Sequence, residues 1–331
     1  MSNDGSVRPV TVLAAGGTIA MAADPSGARP AHDADALLAA VPELAAWPGL
    51  TTRTITRAPG AHLSCDDALA VARAAREEAA AGRGVVITHG TDTIEETAVL
   101  CDVLALDGPA APPVVLTGAI RPAGATGSDG PANIHDAVAA AAAAVTAGTG
   151  ALVAFGGELH AARQVTKVAS HTPNAFGSPR GGAIGLAAEG RVTLFARPIR
   201  PAPLPMPDAI TARVEIVTTY LGDDGAALRD AVARGADAVV LQALGAGHVA
   251  EPVLDAVLAA REAGLPVAAT LRPGRGLLLH ETYGFRGCER DLRAAGVLDA
   301  GGLSPQAARM VLLAGLSGGA TEDAIRDTLA A

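Results

Sequence analysis

The strongest constraint on this chain is a regular alternation. Short apolar runs rich in β-branched residues are each followed by a longer alanine-rich stretch with helical periodicity. Val10-Thr11-Val12-Leu13, Val85-Val86-Ile87, Val114-Val115-Leu116 and Leu152-Val153-Ala154-Phe155 are runs of the first kind. Asp66 to Ala81 and Pro131 to Val145 lie between them and read as helices. Parallel strands cannot be joined by a tight turn and need a crossover, so this pattern is the signature of a parallel α/β sheet. The run Ala137 to Val145 is low in complexity, and alanine is the best helix former, which predicts a small-sided helix packed close to the sheet.

The alternation is interrupted once. Pro198, Pro201, Pro203, Pro205 and Pro207 crowd a segment that can join neither a helix nor a central strand. Beyond it the pattern resumes with Val214-Glu215-Ile216-Val217, Ala238-Val239-Val240-Leu241 and Pro266-Val267-Ala268-Ala269-Thr270. The expected fold class is α/β, with two parallel-sheet domains divided near residue 205. A larger N-terminal domain spans 1–197, a proline-rich linker 198–212 and a smaller C-terminal domain 213–331. At 331 residues the chain has the length for two such domains.

Composition excludes several classes of function. Half of the residues are apolar but only 2% are aromatic, so the core is built from Ala, Val and Leu. No apolar run reaches the roughly 18 residues of a membrane helix, and Met1-Ser2-Asn3-Asp4-Gly5 does not open a signal peptide. Cys65, Cys101 and Cys288 are odd in number and widely spaced, which argues against a disulfide framework or a zinc site and fits a reducing cytoplasm. A net charge of −9 argues against nucleic acid or an anionic membrane as partner.

Chemistry is concentrated at one junction. Thr88-His89-Gly90-Thr91-Asp92-Thr93 follows the Val85 run and precedes Ile94 to Leu100, so it sits where a parallel strand hands over to a helix N-terminus. Ligands bind at such places in open α/β sheets, because free N–H groups and the helix dipole face the crevice. The residues alone leave two roles equally open: Thr91 or Asp92 as helix N-cap, or a hydroxyl and a carboxylate serving a reaction. A second feature favours chemistry. Of 25 lysines and arginines only Lys167 is a lysine. Lysine can lose its proton when buried, whereas the guanidinium stays charged. A lone lysine in an arginine-rich chain is thus a candidate general base, able to exchange a proton with a threonine hydroxyl; chance retention is the alternative.

Other motifs carry less. Gly16-Gly17-Thr18-Ile19-Ala20 after the first strand is not the dinucleotide fingerprint, and its glycines allow the backbone to approach a small ligand. Gly315-Leu316-Ser317-Gly318-Gly319 matches the nucleophile elbow in letters only, since a helix starting at Ser304-Pro305 precedes it where a strand is required. No His-Glu-x-x-His occurs, so a zinc hydrolase is not expected. His89 beside Thr91 has two candidate roles, a part in catalysis or a hydrogen bond within its loop, and the second is the expected one.

Taken together, Gly16 to Ala20, Thr88 to Thr93, Gly118-Ala119-Ile120-Arg121-Pro122, Ser128-Asp129-Gly130-Pro131 with Asn133, Val165-Thr166-Lys167 and Ser304 to Arg309 resemble the bacterial-type L-asparaginase family, in the right order and over nearly the whole chain. The resemblance implies a larger N-terminal and a smaller C-terminal α/β domain and a homo-oligomer, a dimer or a tetramer of intimate dimers. It also implies hydrolysis of the side-chain amide of asparagine, often also of glutamine, without a cofactor or metal. Thr91, Asp92 and Lys167 match the family's threonine-aspartate-lysine set. Gly17, Thr18, Gly60, Ala61, His62, Gly90 and Ala119 become the candidate substrate-binding residues. The only partner expected besides a further copy of the chain is a small amide.

The same resemblance exposes departures that mark a divergent member. The family has a threonine before the Gly-Gly-Thr-Ile-Ala motif, its accepted first nucleophile, and Ala15 stands there. A tyrosine is usual in the loop after Ala20, and the first tyrosine here is Tyr220. Ala61 and His62 replace a serine and a glutamine, and His248 or Ala246 replaces an asparagine that reaches a neighbouring subunit. Three readings follow: a hydrolase with Thr91 as nucleophile, Lys167 as base and Asp92 orienting; a hydrolase of another amide or a lactam; and a catalytically silent small-molecule binder. A glutamyl-tRNA amidotransferase subunit fits less well, lacking an added N-terminal module and basic charge.

Overall fold

In the computed structural model, residues 8–22, 29–30, 32–105 and 107–331 are described. Met1 to Gly5, read above as not opening a signal peptide, and most of the loop in which the resemblance places a tyrosine, residues 23–28, lie outside them. The chain divides into two compact units, the first ending at Pro203 and the second starting at Leu204.

In the first unit the strands are β1 (Val10–Ala15), β2 (Met21–Ala22), β3 (Arg29–Pro30), β4 (Thr51–Thr56), β5 (Gly84–His89) and β6 (Val114–Thr117). They continue with β7 (Ala151–Phe155), β8 (Glu158–Ala161), β9 (Thr166–Lys167), β10 (Phe176–Gly177), β11 (Gly185–Ala188) and β12 (Arg191–Leu194). Among the described residues an eight-stranded sheet runs in the order β12-β11-β8-β7-β6-β5-β1-β4. From β7 to β4 its neighbours are parallel, as the alternation predicts. The other side closes with antiparallel pairs β7–β8, β8–β11 and β11–β12. β9 and β10 form a separate antiparallel pair, as do β2 and β3.

The helices of this unit are α1 (Ala34–Ala39), α2 (Cys65–Ala80), α3 (Ile94–Val103) and α4 (Gly130–Ala142). A capping box starts α2: Ser64 Oγ accepts from Asp67 N at 3.1 Å and Ser64 N donates to the Asp67 carboxylate at 2.9 Å. The alanine helix α4 ends at Ala142 and Ala144–Thr146 continues as a 3-10 turn. It lies close on the sheet: a Cβ added at Gly84 would come within 2.1 Å of Ala141 O.

The second unit carries a four-stranded parallel sheet, β13 (Val214–Thr218), β14 (Ala238–Ala243), β15 (Val267–Leu271) and β16 (Leu298–Asp299), in sequence order. Its helices are α5 (Ala226–Ala233), α6 (Glu251–Glu262), α7 (Glu289–Ala294), α8 (Pro305–Ser317) and α9 (Glu322–Ala330). Ser304 caps α8, accepting from Ala307 N at 3.1 Å. Ser317 ends that helix, and its Oγ accepts from Thr211 N and Ala212 N, both at 3.1 Å. The serine of the apparent nucleophile elbow therefore holds backbone, and no strand precedes it. Among the described residues no helix is long and apolar enough to cross a membrane.

Candidate active site

Two neighbouring parallel strands end at the candidate site. β1 and β5 pair through Ala14↔Thr88 and Ala15↔His89, so Ala15 and the turn into Thr91 emerge at the same, carboxyl edge of the sheet. That pairing also explains why β5 runs on to His89, past the Val85–Ile87 core visible in sequence. The two turns touch through backbone. Gly17 has φ 87°, and a Cβ there would lie 2.3 Å from Gly90 N. A Cβ at Gly90 would lie 2.7 Å from the Gly60 Cα. Glycine at 17, 60 and 90 is thus what lets three loops meet. Thr93 Oγ1 donates to Gly60 O at 3.0 Å and ties the third loop to the second.

Capping by Thr91 or Asp92 is not what the structure contains. Thr93 is the N-cap residue of α3 and makes no side-chain cap hydrogen bond. The hydroxyl and the carboxylate before it are engaged elsewhere: Lys167 Nζ donates to Thr91 Oγ1 at 2.9 Å and to Asp92 Oδ1 at 2.6 Å. Thr91 is buried, the Lys167 side chain is 17% exposed and that of Asp92 is 69% exposed. An amine bridging a sheltered hydroxyl and an open carboxylate has the geometry that proton transfer needs, and of the three groups Asp92 is the one open to solvent.

Gly118, at the end of β6, presses on the site, since a Cβ there would meet Thr91 Cγ2 at 3.1 Å and His89 O at 2.7 Å. Asn133 Nδ2 donates to Gly118 O at 2.9 Å and its Oδ1 accepts from Gly156 N at 3.1 Å. Asp129 accepts from Ile120 N at 3.0 Å and Arg121 N at 2.9 Å. The Ser128 to Asn133 motif therefore shapes the loop holding the buried Ala119. Thr18 is half-buried, Gly60 is buried, and Ala61 and His62 are exposed. Ala246 and His248 lie in the second unit, where His248 stacks edge-on against Tyr283 and Phe285.

His89 is fully buried. Its Nδ1 lies 2.8 Å from Gly90 O, an atom that can only accept, so Nδ1 carries the hydrogen. Nε2 then accepts from Thr97 Oγ1 at 2.9 Å. Burial pushes this imidazole down to about 4, leaving it neutral and holding the Gly90 turn. Sequence reasoning missed Glu95, in the first turn of α3. Its carboxyl accepts from the Thr166 side chain and the Lys167 backbone. Burial, and then the neighbouring Glu96, push it up to about 7.

Known proteins agree with this architecture. The asparaginase N-terminal family matches residues 9–200, and the glutaminase/asparaginase C-terminal domain matches 213–329. A Deinococcus radiodurans protein named "Probable L-asparaginase" is 37% identical, over 97% of either chain. One from Haemophilus influenzae named "Probable L-asparaginase periplasmic" is 31% identical over 94% of this chain and 89% of its own. Among solved structures, the "Probable Cytoplasmic L-asparaginase" of Campylobacter jejuni superposes with a TM-score of 0.82. It is 28% identical, and the match covers 98% of this chain and 99% of that one.

Proposed function

The chain belongs to the bacterial-type asparaginase family, and on that premise we propose that it is an amidohydrolase releasing ammonia from the side-chain amide of L-asparagine, with Thr91 as nucleophile. The observation that carries this reading is the bridge from Lys167 Nζ to Thr91 Oγ1 at 2.9 Å and Asp92 Oδ1 at 2.6 Å. Lys167, as a neutral amine once Asp92 has passed its proton to solvent, takes the Thr91 hydroxyl proton while Oγ1 attacks the amide carbon. The resulting ammonium protonates the leaving nitrogen, ammonia departs, and an ester remains on Thr91. Water then attacks the ester, giving one proton to Lys167 and returning the hydroxyl to Thr91. Aspartate and ammonia are the products, and no cofactor enters. Ala15 contributes only a buried methyl group to this chemistry.

A specific observation favours a second substrate reading. Ala61 and His62 stand exposed beside the buried Gly60, where the family resemblance calls for a serine and a glutamine. Such a pocket fits a different small amide. Ammonia release from L-asparagine, L-glutamine and N-substituted amides, measured on the wild type and on Ala15→Thr, separates the two. A gain of about tenfold or more on asparagine in Ala15→Thr, with asparagine the best wild-type substrate, supports the first reading. No gain and a better alternative amide replaces it with the second. Silence on every amide leaves a binding protein. The reading includes a cytoplasmic homo-oligomer with residues 1–197 as the catalytic part, its assembly measured by sedimentation.

A further inference from the structure

The proposed reaction leaves unused a half-buried carboxyl group beside Lys167, that of Glu95. The main sheet places Ala15 and the Thr91 turn, but Lys167 belongs to β9, a two-residue strand paired with β10 outside that sheet. Something other than the sheet ladder must bring the Lys167 backbone to α3. Glu95 does so: from the first turn of α3 its carboxyl group accepts from the Thr166 side chain and from the Lys167 backbone N–H. Its second oxygen, Oε2, is buried without a hydrogen-bond partner. An ionised carboxylate in that setting is costly, and a carboxyl group that keeps its proton is much less so.

We propose that Glu95 is a positioning residue that anchors the Thr166–Lys167 strand to the helix bearing Thr91 and Asp92, and that it releases its proton to solvent when Lys167 Nζ gains one. This rests on Lys167 acting as the proton acceptor. When Lys167 takes the Thr91 proton, a positive charge appears close to Glu95; loss of the Glu95 proton to water restores the local charge. Burial, opposed by the Thr166 hydrogen bond and by the Lys167 charge, holds Glu95 at about 7, where such an exchange is balanced at neutral pH. The charged groups acting on it are Glu96 of its own helix and Lys167 of β9. Asp92 shares Lys167 with it. β6 and β7, packed on α3, carry no titratable residue, and α2 carries Cys65, Asp66, Asp67, Arg73, Arg76, Glu77 and Glu78.

Lys167 is the sole lysine, so protein labelled with 13C-lysine shows a single side-chain signal. Its 13Cε shift is followed over roughly pH 5 to 9 in the wild type, Glu95→Gln and Glu95→Ala, beside kcat and KM. Glutamine can still accept both hydrogen bonds but cannot titrate. The expected wild-type curve has an inflection near pH 7 that is absent from both variants. Glu95→Ala loses about tenfold to a hundredfold in kcat with a smaller change in KM, and Glu95→Gln recovers most of that loss. An inflection that survives in Glu95→Gln, or wild-type kcat in Glu95→Ala, overturns the proposal. The signal needs no turnover. A wild type silent on every amide but showing the Glu95-dependent inflection therefore upholds the coupling and rejects only the hydrolase reading.

Discussion

The ends of β1 and β5 lie side by side and teach opposite lessons. Ala15 and His89 are register partners, both fully buried, and each strand then turns through glycine. Both turns need glycine, because a Cβ at Gly17 would lie 2.3 Å from Gly90 N and one at Gly90 would lie 2.7 Å from the Gly60 Cα, though Gly17 alone of the two has a positive φ. The chemistry differs far more. β1 ends in a methyl group, whereas β5 leads to a hydroxyl held by the only lysine of the chain and a carboxylate reaching solvent. Scaffold and reaction are therefore separable here: glycine lets both turns approach closely, and one of them carries the hydroxyl and the carboxylate that Lys167 bridges.

The largest test of that asymmetry removes the set. Thr91→Ala and Lys167→Arg should each lower turnover by about 10⁴-fold or more while thermal melting stays near wild type, since arginine cannot give up its proton. A Thr91→Ala protein that keeps its rate breaks the comparison.

A second test reads the supports of the β5 turn through pH. Free His89 would take a proton near 6.5, but in the fold only near 4. The unfolded chain binds more protons in that window, so this part of the stability is present above 6.5 and is lost as pH falls towards 4. Glu95 has the opposite sign: unfolded it ionises near 4.5 and folded near 7, so its contribution declines as pH rises through that range. Each is worth about 3 kcal/mol at most. Urea melts from about pH 4 to about pH 8 should show the two slopes largely cancelling in the wild type. In Glu95→Gln stability should rise with pH alone. A variant curve parallel to wild type contradicts the assignment.

A smaller effect is expected from the shared scaffold. Gly17→Ala and Gly90→Ala should each destabilise by about 1–3 kcal/mol through overpacking, with Gly17→Ala the larger loss because its φ of 87° strains any side chain. Calorimetry showing either variant as stable as wild type would mean that the close backbone approach is not a support.

Much of this was legible in sequence because it rests on local signals. The helix–strand alternation gave the parallel core, and Ser304-Pro305 marked the start of α8. Lys167 stood out by composition alone. Other features depend on tertiary partners. The N-cap of α3 fell on Thr93 because Lys167 engages both Thr91 and Asp92. Nothing in the sequence distinguishes Glu95 from any acid in a first helical turn, and only its hydrogen bonds with Thr166 and Lys167 set it apart. The antiparallel strands β8, β11 and β12 are four residues each, too short for a periodicity to announce them.

Capturing the covalent intermediate tests the central claim most directly. Enzyme quenched in acid during turnover of L-asparagine, digested and analysed by mass spectrometry, should carry one aspartyl group on the peptide containing Thr91, and none in Thr91→Ala. Full turnover with that peptide unmodified, undiminished in Thr91→Ala, would contradict the account.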